Sequence, residues 1–124
     1  MNDSPFDAIE DAVAAIGRGE IVVVVDDEDR ENEGDLIMAA DAVTPEAIAF
    51  FLKHSSGVIC APITAERAQE LDLRPMVEQN TESMRTAFTV TVDYRHDTTT
   101  GISAADRSST IRSLVDPATR PGDL

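Results

Sequence analysis

The sequence predicts an α+β fold: a three-layer arrangement in which a mixed, twisted β-sheet is flanked by helices. Three observations predict it. Residues Ile21–Val25 are an unbroken apolar run, as in a strand covered on both faces. Residues Thr86–Asp93 alternate Phe88, Val90 and Val92 against Ala87, Thr89 and Thr91, the period of a half-buried strand. Several stretches of helical periodicity begin at a Ser or Thr, which caps the free amides of a helix start.

Taken in order, Ser4-Pro5 combines a cap with a proline at the first helical position, and Phe6, Ile9, Val13 and Ile16 then share one face. Gly17 and Gly19 are the candidate terminators. After Ile21–Val25 comes an acidic segment, and Leu36–Ala40 reads as a second strand. Thr44-Pro45 opens a helix to about His54, with Ile48, Phe51 and Leu52 inward. Gly57–Ala61 reads as a short apolar strand carrying Cys60, and Thr64 caps a short helix ending near Leu71. Residues 72–85 read as a loop, and Tyr94–Thr100 as polar and turn-like. Ser103-Ala-Ala-Asp106 is a capping box with Asp in place of Glu, opening a helix to about Val115 that Pro117 and Pro121-Gly122 end.

The chain has 124 residues and a net charge of −14, enough length for one domain and enough charge to repel nucleic-acid phosphates and anionic lipid. No stretch approaches the length of a transmembrane helix, and the acidic N-terminus lacks the basic region of a signal peptide. The single cysteine, Cys60, rules out an internal disulfide, so a reducing cytoplasm is the expected location. Lys53 is the only lysine; the other nine basic residues are arginines. A high-salt cytoplasm or a GC-rich genome would each produce that bias.

The most informative segment is Asp26-Asp27-Glu28-Asp29-Arg30-Glu31-Asn32-Glu33-Gly34-Asp35. Unpaired carboxylates are too costly to bury, so it is a loop, and its self-repulsion calls for a counter-charge such as a divalent cation. An EF-hand does not fit, because Asn32 takes the glycine position and Met38 the bidentate glutamate position. A strand-end Asp-x-Asp phosphotransferase site at Asp27-Glu28-Asp29 lacks its small hydroxyl two residues on. The competing reading is a solvated run of charge. Arg30 either neutralises its neighbours or grips an anion in bidentate fashion. His54 sits where a helix end favours a cation, with catalysis as the alternative, and Cys60 where a small apolar residue packs. Thr98–Ser103 leads into a helix N-terminus, where amides and hydroxyls form either an anion site or a plain cap.

The strings DDEDRENEGD, HSSGVIC, FTVTVD and TTGISAADRSSTIRSL, in this order, resemble the 3,4-dihydroxy-2-butanone 4-phosphate synthase family of riboflavin biosynthesis. The resemblance covers essentially the whole chain. It implies a lyase dependent on Mg²⁺ or Mn²⁺ that converts D-ribulose 5-phosphate to a four-carbon phosphorylated ketone and formate. By position, Glu31 matches the metal-ligating glutamate and also meets substrate, as do Arg30 and Asp35. Asp26, Glu33 and Cys60 match residues implicated in proton transfer, and Thr100 falls where the family grips substrate. The resemblance also implies a homodimer with shared sites. The family continues into RPGH and GHTEA segments, the latter bearing a second metal-ligating histidine that neither His54 nor His96 matches. Residues 1–124 are therefore expected to form the N-terminal part of a single synthase domain, incomplete at the C-terminus. A non-catalytic, cation-binding assembly module is the alternative.

Overall fold

The computed structural model describes residues 4–124. Its elements are α1 (Ile9–Gly17), β1 (Val22–Val25), β2 (Gly34–Ile37), a 3-10 turn (Ala40–Ala42), α2 (Pro45–His54), α3 (Ala65–Glu70), α4 (Ala104–Val115) and a second 3-10 turn (Pro121–Asp123). The mixture of helix and strand is as predicted, but the sheet differs. Among the described residues it is a two-stranded antiparallel hairpin, with Val22 opposite Ile37 and Val25 opposite Gly34.

Where the sequence supplies a local cap, the helix forms as predicted. Thr44 Oγ1 accepts the Ala47 amide at 3.1 Å, Thr64 Oγ1 the Arg67 amide at 3.1 Å, and Ser103 Oγ the Asp106 amide at 3.0 Å. Each satisfies one of the donors a helix start leaves free. Ser4 is the exception. Its hydroxyl accepts the Phe6 amide in a local turn, and α1 begins at Ile9 without a side-chain cap.

The strand expectations fail wherever they depend on distant partners. β1 is not covered on both faces: Val23, Val24 and Val25 are exposed, Val23 to 67%. A two-stranded ribbon has too few neighbours to cover both faces. β2 starts at Gly34 and ends at Ile37, so it takes in Asp35 and leaves out Met38–Ala40. Among the described residues Gly57–Ala61 pairs with no strand, and Gly57 adopts φ +88°. Residues 86–93 make only an isolated antiparallel bridge, Thr89 to Pro75, fastened by the Met76 amide on Phe88 O and the Val90 amide on Arg74 O. Pro75 has no amide to continue that ladder.

Ile48 is fully buried on α2 and Phe51 half-buried, but Leu52 is exposed. Of the four residues placed on one face at the chain's start, Phe6, Ile9 and Val13 are exposed and only Ile16 is half-buried. The core sits elsewhere, where Leu71, Leu73 and Leu114 cluster with Ala61, Ile63, Ala68, Val92 and Leu124. α2 packs on α4, and Arg112 Nη1 donates to the carbonyls of Asp41 and Val43 at 2.8 and 3.1 Å, tying the first 3-10 turn to α4. α4 buries a polar stripe beside Leu114. Thr110 Oγ1 donates to Asp106 O and accepts the Tyr94 amide, and Ser113 Oγ donates to Thr110 O. Every fully buried side-chain nitrogen or oxygen among the described residues has a partner, as buried polar groups require.

Candidate active site

The acidic segment is the connection of the β1–β2 hairpin. Asp26, directly after β1, organises it. Its Oδ2 accepts the Glu31 amide and its Oδ1 the Glu33 amide, both at 2.9 Å, while its own amide donates to Glu33 O at 3.3 Å. The Arg30 amide donates to Asp27 O at 2.9 Å, closing a turn inside the loop. Asn32 adopts φ +51°, which Asn tolerates better than most residues, so its place among six loop acids has a backbone cause. The two amides on Asp26, Glu33 first and Glu31 second, hold its carboxyl below the usual range.

This arrangement brings Asp26, Glu31 and Glu33 together. Arg30, Glu31 and Glu33 are exposed, and Asp35 lies in β2 opposite Val24, also exposed. Cys60 is exposed too, with its thiol 3.8 Å from Val58 O. This differs from the packed strand cysteine the sequence predicts: residues 57–61 form no strand among the described residues, and Cys60 is left exposed. No hydrogen bond or ion pair among the described residues joins the acidic loop to Cys60 or to the turn bearing Thr100.

That second turn precedes α4. Thr98 Oγ1 donates to Tyr94 O, and Asp106 Oδ2 accepts the Thr99 amide (3.1 Å), the Thr99 hydroxyl (2.9 Å) and the Gly101 amide (3.0 Å). The predicted capping box is therefore only half made. Ser103 caps Asp106, but the shorter Asp side chain reaches back to the turn instead of to the Ser103 amide. The expected anion site changes as well, because an internal carboxylate already takes two of its amides. Thr99 first, then Gly101, hold the Asp106 carboxyl below its ordinary value. The role of Asp106 in the turn escaped the sequence reading. The cue was an Asp at the third helical position behind a Thr-Thr-Gly run.

A divalent ion was expected at Glu31. Among the described residues no three His, Cys, Asp or Glu side chains converge to hold a metal. The residues present therefore do not close a metal site by themselves; Glu31 offers one carboxylate.

Solved structures share this fold. A crystal structure of 3,4-dihydroxy-2-butanone 4-phosphate synthase in complex with two magnesium ions matches with a TM-score of 0.93 and 54% identity, over 95% of this chain and 55% of its own. The 3,4-dihydroxy-2-butanone 4-phosphate synthase of Agrobacterium fabrum is 59% identical over 116 residues, 94% of this chain and 54% of its own length. Riboflavin biosynthesis protein RibBA of Bacillus subtilis is 52% identical over 119 residues, 96% of this chain and 30% of its own. Residues 10–124 match 3,4-dihydroxy-2-butanone 4-phosphate synthase, and the chain belongs to that family. It spans about half the length of the synthase from Agrobacterium, 54%.

Proposed function

We propose that residues 1–124 are the N-terminal part of a single synthase domain that converts D-ribulose 5-phosphate to 3,4-dihydroxy-2-butanone 4-phosphate and formate. The observation that carries this reading is the acidic hairpin loop. Asp26 pins the amides of Glu31 and Glu33, so two further carboxylates leave the loop from fixed points. Enolisation, dehydration, rearrangement and deformylation each move protons beside a carbonyl, and separate carboxylates can divide the acid and base roles. Arg30, Glu31 and Asp35 contact the substrate, with Arg30 offering a planar fork for an anionic group. Asp26, Glu33 and Cys60 form the proton-transfer set, and the amide bonds on Asp26 give it a holding part as well. Thr100 grips the substrate from the α4 turn.

Glu31 is the metal-ligating residue in this reading, with Mg²⁺ or Mn²⁺ as the ion. Magnesium sites lean on one or two carboxylates together with water and substrate oxygens, which a lone Glu31 can join. When bound, the ion supplies Lewis-acid stabilisation of the substrate's developing oxyanions. The same reading includes a homodimer and a cytoplasmic setting. Among the described residues no helix is long and apolar enough to cross a membrane.

The test is formate release from D-ribulose 5-phosphate by the completed domain in the presence of Mg²⁺. Glu31→Gln should abolish it, and undiminished turnover would sink the ligand role. No formate from the completed domain with Glu31 unaltered, its hairpin loop intact by NMR, would favour a non-catalytic cation-binding module instead.

A further inference from the structure

Thr100 stands exposed at the tip of the turn ahead of α4, between two residues that are both held from beneath. The holding group is Asp106, only 5% exposed. Its Oδ2 receives the Thr99 amide at 3.1 Å, the Thr99 hydroxyl at 2.9 Å and the Gly101 amide at 3.0 Å. Hydrogen bonds to an ionised acceptor are about twice as strong as neutral ones, and this carboxylate is shielded from water that could replace them. The turn is confined from the side as well. Gly101 adopts φ +81°, and a Cβ there would collide with the Asp93 carboxylate.

The same bonds remove one mode of substrate binding. An anion seated on the amides of Thr99 and Gly101 would have to displace Asp106. Thr100 is exposed on a turn whose Thr99 and Gly101 amides are already used.

We infer that Asp106 is a positioning residue for substrate binding: it fixes the Thr99–Gly101 turn so that the Thr100 hydroxyl meets the anionic sugar phosphate. This rests on the substrate role of Thr100 proposed above. Asp106 itself touches no substrate.

NMR titration of the ¹⁵N-labelled protein with D-ribulose 5-phosphate and Mg²⁺ reads the turn directly. The Thr100 and Gly101 amide resonances should shift and yield a dissociation constant. Asp106→Asn keeps the side chain's size but sets an amide nitrogen against the donors, and it should raise that constant about tenfold. The α2 and α3 resonances should stay in place. Adding Thr100→Ala to Asp106→Asn should weaken binding no further than Thr100→Ala alone, because both act through one hydroxyl. Thr99→Val deletes a single donor on an exposed residue and should produce a smaller rise; it decides the matter if Asp106→Asn does not fold. Binding within about twofold of wild type in these variants, or additive losses, while Thr100→Ala still weakens binding, would overturn the role of Asp106 and leave that of Thr100 standing. A wild-type Thr100 resonance that ignores the ligand would overturn the reading of Thr100, and this inference with it.

Discussion

Arg67 in α3 donates its Nε to the backbone carbonyl of Leu114 at 2.9 Å, and its Nη2 reaches Asp116 O at 2.6 Å. The last carbonyls of α4 are thereby satisfied by a cation from another helix, at the end where the helix dipole favours positive charge. A third bond, Nη1 to Glu70 at 2.9 Å, orients the guanidinium, whose side chain is only 18% exposed.

Arg67→Ala should therefore destabilise the protein by about 1–2 kcal/mol, since it strands the part-buried Leu114 carbonyl and leaves that of Asp116 to water. Arg67→Lys should recover only part of that, because an ammonium cannot span two acceptors as a fork does. Urea denaturation followed by circular dichroism checks both. A midpoint unchanged in Arg67→Ala would mean that α3 and α4 are held by apolar contact alone.

Asp26→Ala should loosen the hairpin loop without melting α2 or α4. The Glu31 and Glu33 amides each lose their acceptor. Their hydrogen exchange should quicken about tenfold, while that of the Leu71 and Leu114 amides stays as it was. Equal exchange at Glu31 and Glu33 in the two proteins would show that the loop is held by something other than Asp26.

Acid should unfold the protein through a small set of anchoring carboxylates. Glu82 accepts the Met84 and Thr86 amides, which hold it well down, from an ordinary 4.5 to about 2. Asp26, Asp106 and Asp123 are lowered from an ordinary 3.8, Asp123 by the Arg120 amide first and by His96 at 2.8 Å second. A carboxyl that titrates lower when folded binds more protons when unfolded, so its contribution is complete above the unfolded value and fades below it. The melting temperature should hold above pH 4.5 and decline towards about pH 2 as these groups protonate. Glu82→Gln should make the decline shallower in thermal melts at stepped pH. An identical slope would remove Glu82 from the set.

What the sequence disclosed divides along physical lines. Helix starts are local: the Thr44, Thr64 and Ser103 hydroxyls lie three residues from the amides they accept, and all three were readable. Strand burial is not local. Val23, Cys60 and Val90 carry the right residue types, but whether anything pairs with or covers them depends on residues far along the chain. The acidic loop was recognisable by composition, whereas the division of labour within it was not. Nothing in the string of acids says that Asp26 turns inward to collect amides while Glu31 and Glu33 turn outward. Asp106 follows the same rule. A helix-capping role was the nearest use for its side chain, and the turn five to seven residues earlier proved to be the actual one.

The uncovered valines of β1 carry a hazard of their own. A run such as Ile21–Val25, rich in β-branched residues and without charge or proline, is the kind of segment that stacks into cross-β fibrils. Here it is bracketed by Glu20 on one side and by Asp26, Asp27, Glu28 and Asp29 on the other. Stacking copies of the hairpin in register would pile these acids on one another, and the repulsion would oppose the growing fibril. The acidic loop thus also serves as a gatekeeper for the strand beside it, and neutralising its charge would cost solubility.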